Sequence, residues 1–206
     1  MLGTAWLGKP TQGTEFFMNI SISIQGVTPL LCNRFTDSAQ ISATAGHRTA
    51  MIGEQPSPHD QAEARLYVNE AHLPIIPQPN LFRCLIDAGK FFKSGKSKLT
   101  TQSTSLLPSC LAIAEIEIPI VHREPWSVDT RPVRIPSTGG RILCHRPCFQ
   151  DWCLHFTCEV DGGLIVASLV RELVDSAGKR IGLGDFRPDR KGPFGRFVVT
   201  RWEASS

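Results

Sequence analysis

The stretch Asn19-Ile20-Ser21-Ile22-Ser23-Ile24-Gln25-Gly26-Val27 sets an isoleucine at every second position with serine or glutamine between. Successive side chains of an extended chain point to opposite faces, so the pattern predicts a strand that buries its isoleucines and leaves its polar side wet. Trp152-Cys153-Leu154-His155-Phe156-Thr157-Cys158 repeats the device, with Trp152, Leu154, Phe156 and Cys158 on one face. Strands of this kind need an apolar cover. Pro79-Asn80 opens a helix carrying Leu81, Phe82, Leu85, Ile86 and Ala88, which stops near Gly89 to Phe92. A second helix is predicted from Leu164 to Ala177, with Ile165, Val166, Leu169, Val170, Leu173, Val174 and Ala177 as its core stripe and Gly178 as its left-handed terminator.

Outward from these elements, Ile113, Ile116 and Ile118 predict one strand over residues 111–118, and Arg196 to Trp202 forms the last strand. Pro136-Ser137-Thr138-Gly139-Gly140 has the composition of a hairpin tip, and Arg131, Arg134, Arg141 and Arg146 line its two arms between Trp126 and Cys148. A basic connector with Lys90, Lys93, Lys96 and Lys98 follows the first helix. The order strand, helix, strands, strand, helix, strand is that of an α+β protein.

A chain of 206 residues that is 41% hydrophobic and 20% charged can bury one substantial core. The expected organisation is a flexible leader over residues 1–17 and a single domain over 18–206, with insertions at about 36–68 and 122–148. A net charge of +3 is compatible with a polyanionic partner only if the arginines cluster. No run approaches the roughly 18 apolar residues of a membrane span, and the N-terminus lacks a signal-peptide pattern, so a cytoplasmic protein without a membrane partner is expected. Seven cysteines, an odd number, fit reduced thiols better than a disulfide framework.

The densest chemistry lies in Gly182-Leu183-Gly184-Asp185-Phe186-Arg187 and on through Arg190, Lys191, Gly192, Phe194, Gly195 and Arg196. Glycines let a backbone approach a ligand, exposed N–H groups bind phosphate oxygens, arginine forks add charge-assisted contacts, and Phe186 or Phe194 can stack on a base. The segment follows a helix and precedes a strand, and it lacks Gly-Lys-Ser/Thr, so it is neither a dinucleotide fingerprint nor a nucleotide-hydrolysing loop. Cys144, His145, Cys148, Cys153, His155 and Cys158 are numerous enough for zinc, but Cys153 and Cys158 fall on opposite faces of one strand, and neither metal nor cofactor is expected. His47, His59 with Asp60, and His122 are scattered, with no nucleophile elbow among them. Asp37, in the loop after the first strand, is the weak candidate for acid-assisted phosphodiester cleavage. The reading favours a binding protein over an enzyme.

Three segments, in this order, resemble the RAMP superfamily, specifically the repeated backbone subunit of CRISPR effector complexes. They are Gln25-Gly26-Val27-Thr28-Pro29-Leu30-Leu31, then Leu73-Pro74-Ile75-Ile76-Pro77-Gln78-Pro79-Asn80-Leu81-Phe82-Arg83, then the glycine loop from Gly182 to Arg196. The middle segment departs from the family by carrying Gln78-Pro79-Asn80 where Gly-Ser-Ser is usual. The resemblance implies a modified ferredoxin-like, RRM-type core, an antiparallel sheet with helices on one face, that holds guide RNA by its backbone and polymerises along it. It implies backbone contacts from Arg34, Asn80, Arg83, Arg180, Gly182, Gly184, Arg187, Arg190, Lys191 and Arg196, with Phe186 and Phe194 as stackers. Partners would be guide RNA, a complementary RNA or DNA target, further copies of the chain and other effector subunits. The rival readings are a guide-independent single-strand binder of a phage or mobile element, a metal-dependent RNA nuclease centred on Asp37, and a structural scaffold.

Overall fold

In the computed structural model the described residues are 17–35, 56–134 and 139–205. Most of the expected leader, Asp37 and His47 lie outside them. The alternating isoleucines form β1 (Phe17–Gly26), followed by the short β2 (Leu30–Leu31) and the one-and-a-half-turn helix α1 (Pro58–Glu63), whose first turn is capped by Ser57. β3 (Ile75–Pro77) leads directly into α2 (Gln78–Ala88), and a small hairpin of β4 (Lys93–Ser94) and β5 (Ser97–Lys98) carries Lys93, Lys96 and Lys98. After α3 (Leu107–Cys110) come β6 (Leu111–Ile113), β7 (Glu117–Pro119) and β8 (Val121–His122). The hairpin arms are β9 (Ser127–Arg134) and β10 (Arg141–Phe149), and the chain closes with β11 (Trp152–Asp161), α4 (Ala167–Ser176) and β12 (Phe197–Ser205).

The central sheet runs β12-β1-β11-β6, with β8 extending β11. Its pairings are antiparallel, and counting only β1, α2, β6, β11, α4 and β12 gives the β-α-β-β-α-β order with the strands arranged fourth, first, third, second. This is a ferredoxin-like core with insertions. Ile20, Ile22 and Ile24 face the same layer as Cys158, Phe156 and Leu154, their register partners, and Leu81, Leu85, Ala88, Val170, Leu173 and Val174 of the two helices complete one buried cluster. A second sheet, β2-β10-β9, carries the basic hairpin beside this core. Buried Trp152 of β11 ties the central sheet to the turn between β1 and β2, its indole N–H donating to the Thr28 carbonyl at 2.9 Å.

Three expectations are corrected. Residues 111–118 form two short strands in different sheets, because the chain turns at Ala114 to Ile116; Glu115 accepts the Thr157 N–H there, and Ile116 is exposed. The second helix begins at Ala167, and Val166 is its exposed cap. Gly178 does not end it, because the chain continues through a π-turn (Ala177–Ile181) and Gly182, at φ 75°, is the left-handed residue. What Gly178 supplies is close approach: a Cβ there would stand 2.1 Å from the Phe197 carbonyl oxygen of β12.

Candidate nucleic-acid interface

β1 and β12 run antiparallel, with Gly26 opposite Phe197, so the end of one and the start of the other meet at one edge of the sheet. The glycine loop therefore folds back over the segment that follows β1. Gly195 N–H donates to the Pro29 carbonyl at 2.8 Å, Asp185 N–H to the Leu31 carbonyl at 2.8 Å, and Leu183 N–H to the Gly195 carbonyl at 2.9 Å. The glycines permit this closure. A Cβ on Gly184 would lie 2.3 Å from the Leu31 oxygen, and one on Gly195 would lie 1.8 Å from the Leu183 oxygen. The N–H groups of Gly184 and Arg187 take no partner among the described residues.

Two clefts flank this loop. The first, of about 240 Å³, is lined by Cys32, Asn33, Tyr67, Ile76, Asn80, Arg83, Cys84, Gly182, Gly184, Asp185 and Arg187. It joins the second and third of the segments singled out in the sequence to Cys32 and Asn33, which lie just beyond the first. The second, of about 480 Å³, lies between the hairpin and the loop, lined by Arg131, Pro132, Val133, Arg134, Arg146, Asp185, Phe186, Arg187 and Arg190. Asp185 and Arg187 stand in the wall common to both.

That wall is held by charge. Arg146, only 3% exposed, donates to Asp185 at 2.7 Å and to Asp129 at 3.5 Å, fastening β10 and β9 to the loop, and Asn33 donates to the same Asp185 oxygen at 3.0 Å. Arg187 donates to the Gly184 carbonyl, three residues back in the loop, at 3.1 Å. Lys90 donates to Asp189 at 2.8 Å, and that hydrogen bond holds the Asp189 carboxyl below its ordinary range. Arg131 sits 4.9 Å from the ring centre of Phe194.

The remaining sequence candidates fall in different places. Phe194 is buried with Leu31 and Cys148, so the exposed member of the aromatic pair is Phe186, which holds φ 47°. Arg180 lies over Phe91 at 4.7 Å, Arg196 donates to the Lys179 carbonyl at 2.9 Å, and Arg83 pairs with Asp87 at 2.9 Å. Arg34 is exposed beyond β2, its N–H bonded to the Arg65 carbonyl, and Lys191 is exposed with φ 62°. Tyr67, Asn33 and Arg65 escaped the sequence reading. Arg65, on the turn after α1, donates to the His145 carbonyl of the hairpin, a link no local pattern announces. Cys158 is buried while Cys153 faces the other side of β11. Among the described residues the gathered metal-type donors are His59, Asp60 and Glu63, all exposed on α1, and His59 stacks on Trp126 at 4.7 Å.

No protein-family model matches this sequence, and no curated protein does. Among solved structures the fold is similar to one chain of the Type III-B Cmr-beta complex, determined by cryo-EM bound to cognate target RNA. The TM-score is 0.54 at 10% identity, over 91% of this chain and 60% of that one. This chain thus spans about three fifths of the length of its structural neighbour. At that identity the likeness is one of fold.

Proposed function

We propose that this chain is an RNA-binding subunit of a CRISPR-type effector complex that holds guide RNA by its backbone and assembles with copies of itself along it. The observation that carries the reading is the arginine-lined cleft between the hairpin and the glycine loop, which shares its wall with a cleft where Asn33, Asn80 and Arg83 converge from distant segments. Arg131, Arg134, Arg187 and Arg190 supply cations for phosphates, and exposed Phe186 offers a ring for stacking.

The outer face of the sheet is a poorer RNA platform. RRM-type recognition stacks two or three bases on aromatic side chains of that face, whereas of its central positions here, Ser21, Ser23, His155, Thr157 and Arg201, one alone carries a ring. The neighbouring Cmr-beta chain, from a complex bound to target RNA, supports the same class of partner. Sequence choice would rest on base pairing by the guide, the protein following the strand by shape and charge.

The test is purification from cells that express a candidate guide RNA, followed by extraction of the bound nucleic acid. Short RNA of one length in a high-mass assembly, depleted in the Arg187→Ala and Arg190→Ala variants, is the expected result. Nucleic acid of no defined length would favour the guide-independent binder. An RNA-free monomer that ignores added oligonucleotides would overturn the proposal.

A further inference from the structure

The cleft beneath Tyr67 and Asn80 differs in chemistry from the arginine-lined one. Ile76, Cys32 and Cys84, all buried, give it an apolar floor, and burial pushes the Cys32 thiol up to about 12 and Cys84 higher, so both thiols are neutral. Its charged residues already have partners: Asp185 has Arg146 and Asn33, Arg83 has Asp87, and Arg187 has the Gly184 carbonyl and, at 4.0 Å, Asp189. A phosphate would meet little uncompensated positive charge and a carboxylate in the wall. The Tyr67 hydroxyl and the Asn80 side-chain amide, by contrast, take no partner among the described residues, and both residues line the cleft. Between them they offer donors and acceptors to one edge of a polar molecule. A volume of about 240 Å³ falls below the range of roughly 300 Å³ and upward that takes a drug-sized ligand, and suits a single ring system.

We propose that this cleft receives one unstacked nucleobase, gripped at its polar edge by Asn80 and Tyr67, while the phosphates of the same strand lie in the arginine-lined cleft. The shared wall supports the division. A strand whose phosphates lie against Arg134 and Arg190 in one cleft has the other on the far side of the Asp185 and Arg187 wall, where Ile76 and Cys84 give a ring an apolar floor. The inference rests on the RNA-binding reading and adds base preference to it. Tyr67 is well placed for this, since its carbonyl accepts the Ile75 N–H at 2.9 Å and so ties it to β3 at the foot of α2.

The experiment uses the full chain and short single-stranded RNAs of equal length made of A, C, U or inosine, with an abasic strand as control, titrated at several salt concentrations. The expected result is a spread of about tenfold between the best and worst bases. Tyr67→Phe and Asn80→Ala should each narrow it about three- to tenfold without changing the dependence on salt. Tyr67→Phe removes one hydroxyl and leaves the ring, so an unchanged Tm separates lost recognition from lost folding. Equal, salt-sensitive affinity for every strand including the abasic one overturns the base pocket while RNA binding stands. A spread untouched by both substitutions overturns the assignment to this cleft. No binding to any strand overturns both readings.

Discussion

Replacing Arg146 by methionine tests whether one buried cation holds the hairpin against the glycine loop. Its guanidinium stands 2.7 Å from Asp185 and 3.5 Å from Asp129, and at an effective dielectric constant of about 20 these contacts carry roughly 6 and 5 kcal/mol of gross attraction. Desolvation of a side chain 3% exposed cancels most of that, but removing one member of a buried set typically costs about 3–5 kcal/mol because the other charges are left without compensation. Three features reduce the cost here. Asp185 keeps Asn33 and the Phe186 N–H, Asp129 keeps Arg131, and Arg146 Nε is itself buried without a partner, an unmet donor that methionine removes. The expected loss is therefore about 2–3 kcal/mol. Urea denaturation should show the midpoint falling at unchanged slope, and Arg146→Met combined with Asp185→Asn should lose less than the sum of the single variants by about 1 kcal/mol or more. A single variant within about 0.5 kcal/mol of the parent, or strict additivity in the double, would refute the reasoning.

Other outcomes follow from the same contacts. Gly184→Ala forces a Cβ to 2.3 Å from the Leu31 oxygen at φ 72°, and should lower stability in thermal or urea unfolding by about 2 kcal/mol or more. The depressed Asp189 carboxyl contributes stability that is fully present above its unfolded value of about 4 and is lost as pH falls through its folded value; in acid unfolding, Lys90→Met should flatten that limb. Arg190→Ala should reduce the slope of log affinity against log salt for single-stranded RNA by about 0.7 if its guanidinium meets one phosphate. With the Cys158 thiol raised to about 12 by burial and Cys153 half exposed on the opposite side of β11, a maleimide at pH 8 should label Cys153 first in the native protein, as mass spectrometry would read it.

The strands and helices that were readable in the sequence are those whose pattern is set by one neighbour layer. β1 and β11 alternate because a single apolar face meets the helices, and α2 announces itself because Pro79 fits the first turn of a helix. The misread segments answer to distant contacts. Gly178 has the composition of a helix stop, yet the Phe197 carbonyl from β12 occupies the space a side chain would need, and the turn is completed four residues later. Residues 111–118 carry the isoleucines of one strand but are divided between the edge of β11 and the edge of β3. The glycine loop was recognisable by its composition, but its close packing was not, since Gly184, Gly192 and Gly195 lie against carbonyls from Leu31, Phe186 and Leu183.

The candidate site shows the same division between local and long-range information. Its arginines can be picked out from the sequence, but which of them face a ligand depends on where the acids fall. Asp185 neutralises Arg146, Asp87 engages Arg83, and Asp189 engages Lys90, whereas Arg134 and Arg190 have no carboxylate partner among the described residues. A net charge of +3 therefore understates the field in the second cleft, because the loop's acids are already compensated inside the wall while the outward guanidiniums are not. The topology supplies the rest. In an antiparallel core of this strand order, the end of β1 and the start of β12 must lie side by side, and the insertion between β6 and β11 returns as a hairpin paired to β2, just beyond β1. Segments more than 100 residues apart are thereby brought to one edge of the sheet, and a strand of RNA lying there would touch all of them at once.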